Sequence, residues 1–545
     1  MATIQGGRSA GRITNSISCC GQASREATVF LEGSTSLASL GNFRFGGEHF
    51  FGVPSRRRRP SVGINSPDHS GDFATGLTFF SQISNAVWPQ IPSPWASGVA
   101  ALLYQLQKTQ WLSQRDLAAQ QWQQASCLLR HAIDTSSFYR ELYDRHGVVL
   151  TNIKNLDDWS QLPIVDRRAL QSAGATWRSA TPPQDHGALF EHVTSGSSGR
   201  PLHSISTTLT HLIKSSLILR QHLWAGRNFS KKAAFIVEKP KDIKVPAQPS
   251  DNWENATKNV VLTGSALSIS LHMDAAQQIE ELLAFQPDYL ISYPSVIENL
   301  VRHCISRSIA LPSLLQIGTF GEILSSKCRK LVFDAWGLKV FDVYSAMEAG
   351  PIALQCPVHE HYHEQSEAVI VEILDAGDRP CQVGETGRVV ITSLHNFAAP
   401  LIRYEIGDLA TRGAPCPCGR SLPVIQRVMG RQRNMLRYPD GSARWPSLSE
   451  AGLAMVFSKA GEMPAIEQFQ IVQHSTHRIE ARLVTKRRYT GSEEALLVQY
   501  LHHEFGGHWQ IDFSYPAEIS RGPGGKFEDF LSYVSPEPLT GESIA

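Results

Sequence analysis

The sequence predicts an α/β fold: a large body of layered sheets and helices, followed by a smaller α+β domain. Three observations lead there. Compact apolar runs at Ala233–Val237, Tyr289–Ser292 and residues 315–318 alternate with helix-type stretches at Ala275–Phe285 and residues 295–306. Such alternation favours mostly parallel strands between helical layers. Val369–Leu374 and residues 387–392 read as two antiparallel strands joined by a turn containing Gly and Asp. Beyond residue 432, shorter strand and helix patterns (479–485 and 492–505) mark the second unit. A chain of 545 residues is long enough for both.

In chain order, residues 1–85 stand apart. They are rich in Ser, Gly and Arg, with Glu26, Glu32 and Glu48 the only acids before Arg56-Arg57-Arg58-Arg59. A disordered or low-complexity extension, an organelle transit peptide and a basic arm for an acidic partner all suit that composition. From Trp95 to Leu142 apolar residues recur at helical spacing. The large domain is expected over 86–432 and the small one over 433–545. With 42% hydrophobic and 19% charged residues and a net charge of +1, nothing points to a nucleic-acid partner. No apolar run approaches the roughly 20 residues of a membrane span. Nine cysteines in this length are no secreted disulfide framework, so a cytoplasmic protein is expected.

The stretch His192-Val-Thr194-Ser195-Gly196-Ser197-Ser198-Gly199-Arg200-Pro201 suits an anion. Its glycines let backbone N–H groups converge, and its hydroxyls add donors. It is not the common nucleotide P-loop, since no lysine follows Gly199. Read alone it is equally a flexible connector. Further on stand Phe320-Gly321-Glu322, Phe341-Asp-Val-Tyr344-Ser345-Ala-Met-Glu348, Tyr404-Glu-Ile-Gly407-Asp408, Val428-Met-Gly430-Arg431 and Gly522-Pro-Gly-Gly-Lys526. Each has a plain structural alternative: a turn at Gly321, a core aromatic at Tyr344, a helix-start acid at Glu348, a turn acid at Asp408, an exposed lysine at Lys526.

In this order, from about Leu112 to Val534, the motifs resemble the adenylate-forming superfamily of acyl-CoA synthetases, adenylation domains and luciferases. They are most similar to its phenylacetate–CoA ligase and capsule-biosynthesis branch. The resemblance implies a large AMP-binding domain and a small mobile C-terminal domain with the catalytic lysine. It implies an AMP-forming acid–thiol ligase that makes an acyl-adenylate from ATP and a carboxylic acid. The acyl group then passes to coenzyme A, or in some relatives to an amine or hydroxyl. A non-catalytic nucleotide-binding relative is the remaining alternative. Thr194, Ser195, Gly196, Ser197, Ser198 and Gly199 would cradle the β- and γ-phosphates. Gly321 and Glu322 would lie on the adenine side, Tyr344 would offer adenine its ring, and Ser345 would belong to the same nucleotide site. Asp408 and Arg431 would hold ribose and phosphate, and Glu348 would ligate Mg2+. Lys526 would neutralise charge at the α-phosphate. The chain departs from the family in lacking a lysine after Pro201, and in Arg433-Asn434, where one or two aspartates usually follow Gly-Arg-x. A homodimer is also in keeping with the family.

Cys416-Pro417-Cys418, with Cys356 upstream, provides three thiols near His359, His361 and His363. Three cysteines and one histidine are a usual structural zinc set, with metal-free buried cysteines as the alternative. The resemblance points to His363 as the fourth ligand, with His359 as the alternate. No basic recognition helix adjoins the cysteines, which argues against a nucleic-acid-binding finger.

Overall fold

The computed structural model describes residues 77–193, 202–238, 247–253, 256–431, 434–444, 446, 464, 466–506, 509–522 and 526–534. Three helices come first: α1 (Pro94–Thr109), α2 (Gln114–Thr135) and α3 (Ser137–Arg145). Ser93, Ser113 and Ser136 cap them, each accepting a backbone N–H three residues on. Their inward stripe (Leu128, Leu129, Ala132, Tyr139) is buried, as the helical spacing demands. Asp166 likewise caps the short α4 (Arg167–Ala173). Ahead of these helices, Phe79 bridges to Val261, so part of the segment set aside at 1–85 lies against the body.

A hairpin of β1 (Leu189–Val193) and β2 (His203–Thr207) leads into α5 (Thr208–Trp224), which Thr207 and Thr210 cap reciprocally. Then follow β3 (Ala233–Val237), β4 (Ala247–Ser250), β5 (Ala266–Ser270), α6 (Ala275–Phe285), β6 (Tyr289–Ser292), α7 (Pro294–Arg307), β7 (Gln316–Phe320), α8 (Ser326–Trp336) and β8 (Val340–Ala346). Strands β8, β7, β6, β3 and β5 lie side by side and parallel. Helices cover both faces of such a sheet, which is why these strands read as unbroken apolar runs.

The sheet continues past β8 through β9 (Gly350–Gln355), β10 (Tyr362–Glu364), β11 (Val369–Leu374), β12 (Thr386–Ser393), β13 (Tyr404–Arg412) and β14 (Val424–Arg431). Its order is β11-β12-β13-β14-β10-β9-β8-β7-β6-β3-β5-β4. Every pairing among β8 to β14 is antiparallel, so the expected parallel arrangement holds for one half only. The connections there are too short for helical crossovers.

Two short strands, β15 (Leu436–Arg437) and β16 (Ala443–Arg444), flank the turn at Tyr438-Pro-Asp-Gly441. The last sheet has the order β19-β18-β17-β20. It comprises β17 (Ile466–Ser475), β18 (Arg478–Thr485), β19 (Gln510–Ser514) and β20 (Phe530–Ser532), with α9 (Gly491–Phe505) between β18 and β19. Ile471, Ile479, Leu483, Leu497, Leu501 and Phe505 form a core of its own. Among the described residues, no helix is long and apolar enough to cross a membrane.

Candidate active site

The parallel strands end on one edge, where open α/β sheets place ligands. From β6, β7 and β8 the chain there supplies Tyr293, Gly321-Glu322 and the turn reaching Glu348. The antiparallel half adds Asp408 and Arg431, opposite one another in the β13–β14 register. Arg431 Nε lies 3.0 Å from Asp408 Oδ1, and Tyr344 Oη donates to Asp408 Oδ2 at 2.8 Å. Burial, then the Asp408 carboxylate, holds the Tyr344 phenol well above its usual range, so it stays a donor. Tyr344 is 8% exposed and packs in the core; its hydroxyl fixes Asp408. A carboxylate offers about four lone-pair directions, so Asp408 retains acceptor capacity for vicinal hydroxyls. Ser345 follows at a register shift against β9. Removing the phenol hydroxyl in Tyr344→Phe is expected to weaken ATP binding roughly tenfold by calorimetry, the scale of one hydrogen bond to a charged group.

Glu348 has a buried side chain whose Oε1 faces Arg167 Nη1 at 3.6 Å and accepts from Tyr404 Oη at 3.4 Å. Arg167, structural by its sequence reading, thus borders the candidate site. Its only signal was the basic pair after Asp166, since α4 and the β8–β9 turn are far apart in the chain. One carboxylate with waters and phosphate oxygens is a usual magnesium set, and Glu348 fits that role.

Lys526 reaches this edge from the C-terminal lobe. Gly522 N donates to Lys526 O at 2.9 Å, closing the turn that presents the lysine. Its side chain passes over Gly321, where an added Cβ would come within 3.7 Å of Lys526 Cε and 3.0 Å of the Tyr293 ring. Gly321 has φ +78°, so this position needs glycine for conformation as well as space. Burial, then the Arg431 guanidinium, lowers the Lys526 ammonium from its usual range; Asp408, Glu348 and Glu322 oppose that. The lysine thus shares its electrostatic surroundings with the other candidate residues.

Glu322 differs from expectation. Its carboxylate accepts from Ser295 N at 3.0 Å and Phe527 N at 2.6 Å, with Arg521 Nη1 at 3.4 Å. The side chain is therefore committed to the C-terminal lobe, a partner two hundred residues away that no local pattern announces. Thr194, Ser195, Gly196, Ser197, Ser198 and Gly199 lie outside the described residues, as do Arg433 and residues 1–76. Of the apolar candidates for a pocket wall, Tyr293 and Phe320 pack ring to ring at 4.8 Å beside Gly321. Phe235 belongs to a core cluster and Trp224 faces His363.

The thiol set gathers elsewhere on the sheet. One ligand atom from each of Cys356, His363, Cys416 and Cys418 lies within 4.8 Å of the others. Tetrahedral zinc with Zn–S near 2.3 Å puts two sulfurs about 3.8 Å apart; Cys356 Sγ and Cys416 Sγ are separated by 3.8 Å. His363 Nδ1 meets the Leu422 carbonyl at 3.2 Å, so Nδ1 carries the proton and the Nε2 lone pair faces Cys418 Sγ at 3.5 Å. Burial pushes the His363 imidazole down to about 4, which keeps it neutral. These residues fit a structural zinc. His361, at 3.0 Å from Cys416 Sγ, borders the set, and His359 stacks on His361.

Residues 448–531 match the family model of the CapK C-terminal domain. The phenylacetate-coenzyme A ligase of Thermus thermophilus is 24% identical over 345 residues, covering 60% of this chain and 72% of that protein. The Escherichia coli phenylacetate-coenzyme A ligase is 25% identical over 336 residues, covering 59% and 72%. In fold, the chain is similar to 2-hydroxyisobutyryl-CoA ligase in its postadenylation state with 2-HIB-AMP. There the TM-score is 0.59 at 16% identity, covering 80% of this chain and 90% of that one.

Proposed function

We propose that this chain, a member of the adenylate-forming superfamily in its phenylacetate–CoA ligase and CapK branch, activates a carboxylic acid with ATP and passes the acyl group to coenzyme A. A carboxylate oxygen attacks the α-phosphorus, the bond to the bridging oxygen breaks, and pyrophosphate leaves. The thiol of coenzyme A then attacks the acyl carbon and AMP leaves. The observation that carries this reading is the position of Lys526: a half-buried side chain whose Cε lies over Gly321, within electrostatic reach of Arg431, Asp408 and Glu348.

In this reading Asp408, held by Tyr344 and Arg431, accepts from the ribose hydroxyls, and Tyr293 and Phe320 border the acyl group. The loop at 194–199 takes the β- and γ-phosphates. Lys526 spreads the charge that builds on the α-phosphate oxygens, a task of positioning and electrostatics. Glu348 would hold Mg2+, whose chemistry is to neutralise phosphate charge. Cys356, His363, Cys416 and Cys418 would hold a structural zinc that ties the segment after β13 to the strands beside it.

Transfer to an amine or hydroxyl is the second reading. The test is carboxylate-dependent exchange of labelled pyrophosphate into ATP across aryl, fatty and amino acids. For each responding acid, product formation with coenzyme A is then compared with hydroxylamine. Exchange with a subset of acids is expected, with thioester as the product. No exchange with any acid, in protein shown by calorimetry to bind ATP, would transfer the assignment to a non-catalytic nucleotide binder.

A further inference from the structure

Glu322 lies between β7 and α8, on the large body, yet it organises contacts with the C-terminal lobe. On the body side it accepts from Ser295 N in the first turn of α7, one of the amides that a helix start leaves without an internal partner. On the lobe side it accepts from Phe527 N, the residue after Lys526, and faces Arg521 Nη1. Arg521 Nη1 also donates to Ser295 Oγ at 2.9 Å, and its guanidinium lies 5.8 Å from the Phe527 ring centroid. A single buried carboxylate therefore grips the lysine loop at both ends, Arg521 before it and Phe527 after it. Closer to the β14 end, Asn434 Nδ2 reaches Glu528 Oε1 at 3.5 Å, a much weaker tie.

We propose that Glu322, Ser295, Arg521 and the Phe527 amide form a latch that docks the C-terminal lobe with Lys526 in the site and so sets the balance between acyl-adenylate formation and acyl transfer. The second half rests on the adenylation reading above. In that reading adenylation needs the lysine at the α-phosphate, whereas attack of a thiol on the acyl carbon does not. The latch is suited to release. On undocking, Glu322 keeps the Ser295 amide and gains water, so no buried charge is stranded. While docked, it holds charge-assisted hydrogen bonds, which are stronger than neutral ones. Glu322, Ser295 and Arg521 are positioning residues here, since they act through Lys526.

The test uses the full chain with Arg521→Met and, separately, Glu322→Gln. Amide hydrogen exchange at Phe527, measured without substrates, is expected to quicken roughly tenfold or more in both variants, the scale of losing a charged hydrogen bond. Pyrophosphate exchange should fall by a similar factor, while transfer from a supplied acyl-adenylate to coenzyme A stays level or rises. Unchanged protection at Phe527 would overturn the latch. So would an equal fall of both half-reactions, which marks general destabilisation. If the wild-type chain activates no acid, the adenylation reading fails, while amide exchange still decides whether the latch exists.

Discussion

Replacing Lys526 by alanine is expected to cut carboxylate-dependent pyrophosphate exchange by roughly a hundredfold or more, the scale of removing one preorganised group that meets developing charge. Arg431, the neighbouring cation, is already engaged by Asp408 at 3.0 Å. The lysine side chain is confined between Gly321 and the loop that Gly522 and Lys526 close, so its position is set before any substrate arrives. Arginine should restore little, because a planar fork cannot occupy the place of a compact ammonium over Gly321. ATP binding, measured by calorimetry, should change far less than exchange, since the roles proposed for Asp408 at the ribose and for the loop at 194–199 do not involve Lys526. Exchange within about threefold of wild type would remove Lys526 from the chemistry and, with it, the observation on which the adenylation reading stands.

Purified protein is expected to carry one zinc per chain by elemental analysis, and Cys416→Ser to lose it. The four ligand atoms converge in a mostly buried setting where the Cys356 and Cys416 sulfurs already stand at the spacing of a tetrahedral edge. Loss of the metal leaves thiols and an imidazole facing one another with no ion between them. A cost of about 3 kcal/mol is a modest share of the free energies that structural zinc supplies. It corresponds to a fall in Tm of roughly 6–12 °C for a domain of a few hundred residues. His363→Ala should share the defect and His359→Ala should not, which separates the two candidate histidines. Metal-free protein with the melting behaviour of the variant would instead make this a cluster of buried thiols.

Much of the architecture was legible in the sequence because burial writes itself locally. Tyr289–Ser292 is buried at every position, and so reads as a continuous apolar run, as a strand covered on both faces must. Val369–Leu374 and its partner β12 were legible as a hairpin for their strand composition and the turn between them. The pairings of β10 with β14 and of β8 with β9 were not, because antiparallel register joins segments that carry no mark of each other. The same division runs through the site. Asp408, Arg431 and Lys526 stood out as residue types in motifs. That Arg431 faces Asp408 is decided by the β13–β14 register, and that Arg167 faces Glu348 by how α4 packs against β13.

The sequence by itself determined the classes of element, the helical stretch Ala275–Phe285 and the inventory of chemical groups, since each depends on neighbours a few residues away. Only the tertiary structure decided which groups meet: Tyr344 with Asp408, His363 with Cys418, Glu322 with Phe527. The reason is physical. Hydrophobic period and capping are short-range preferences repeated along the chain, whereas an ion pair between distant segments exists only after the sheet has set its register and the lobes have docked.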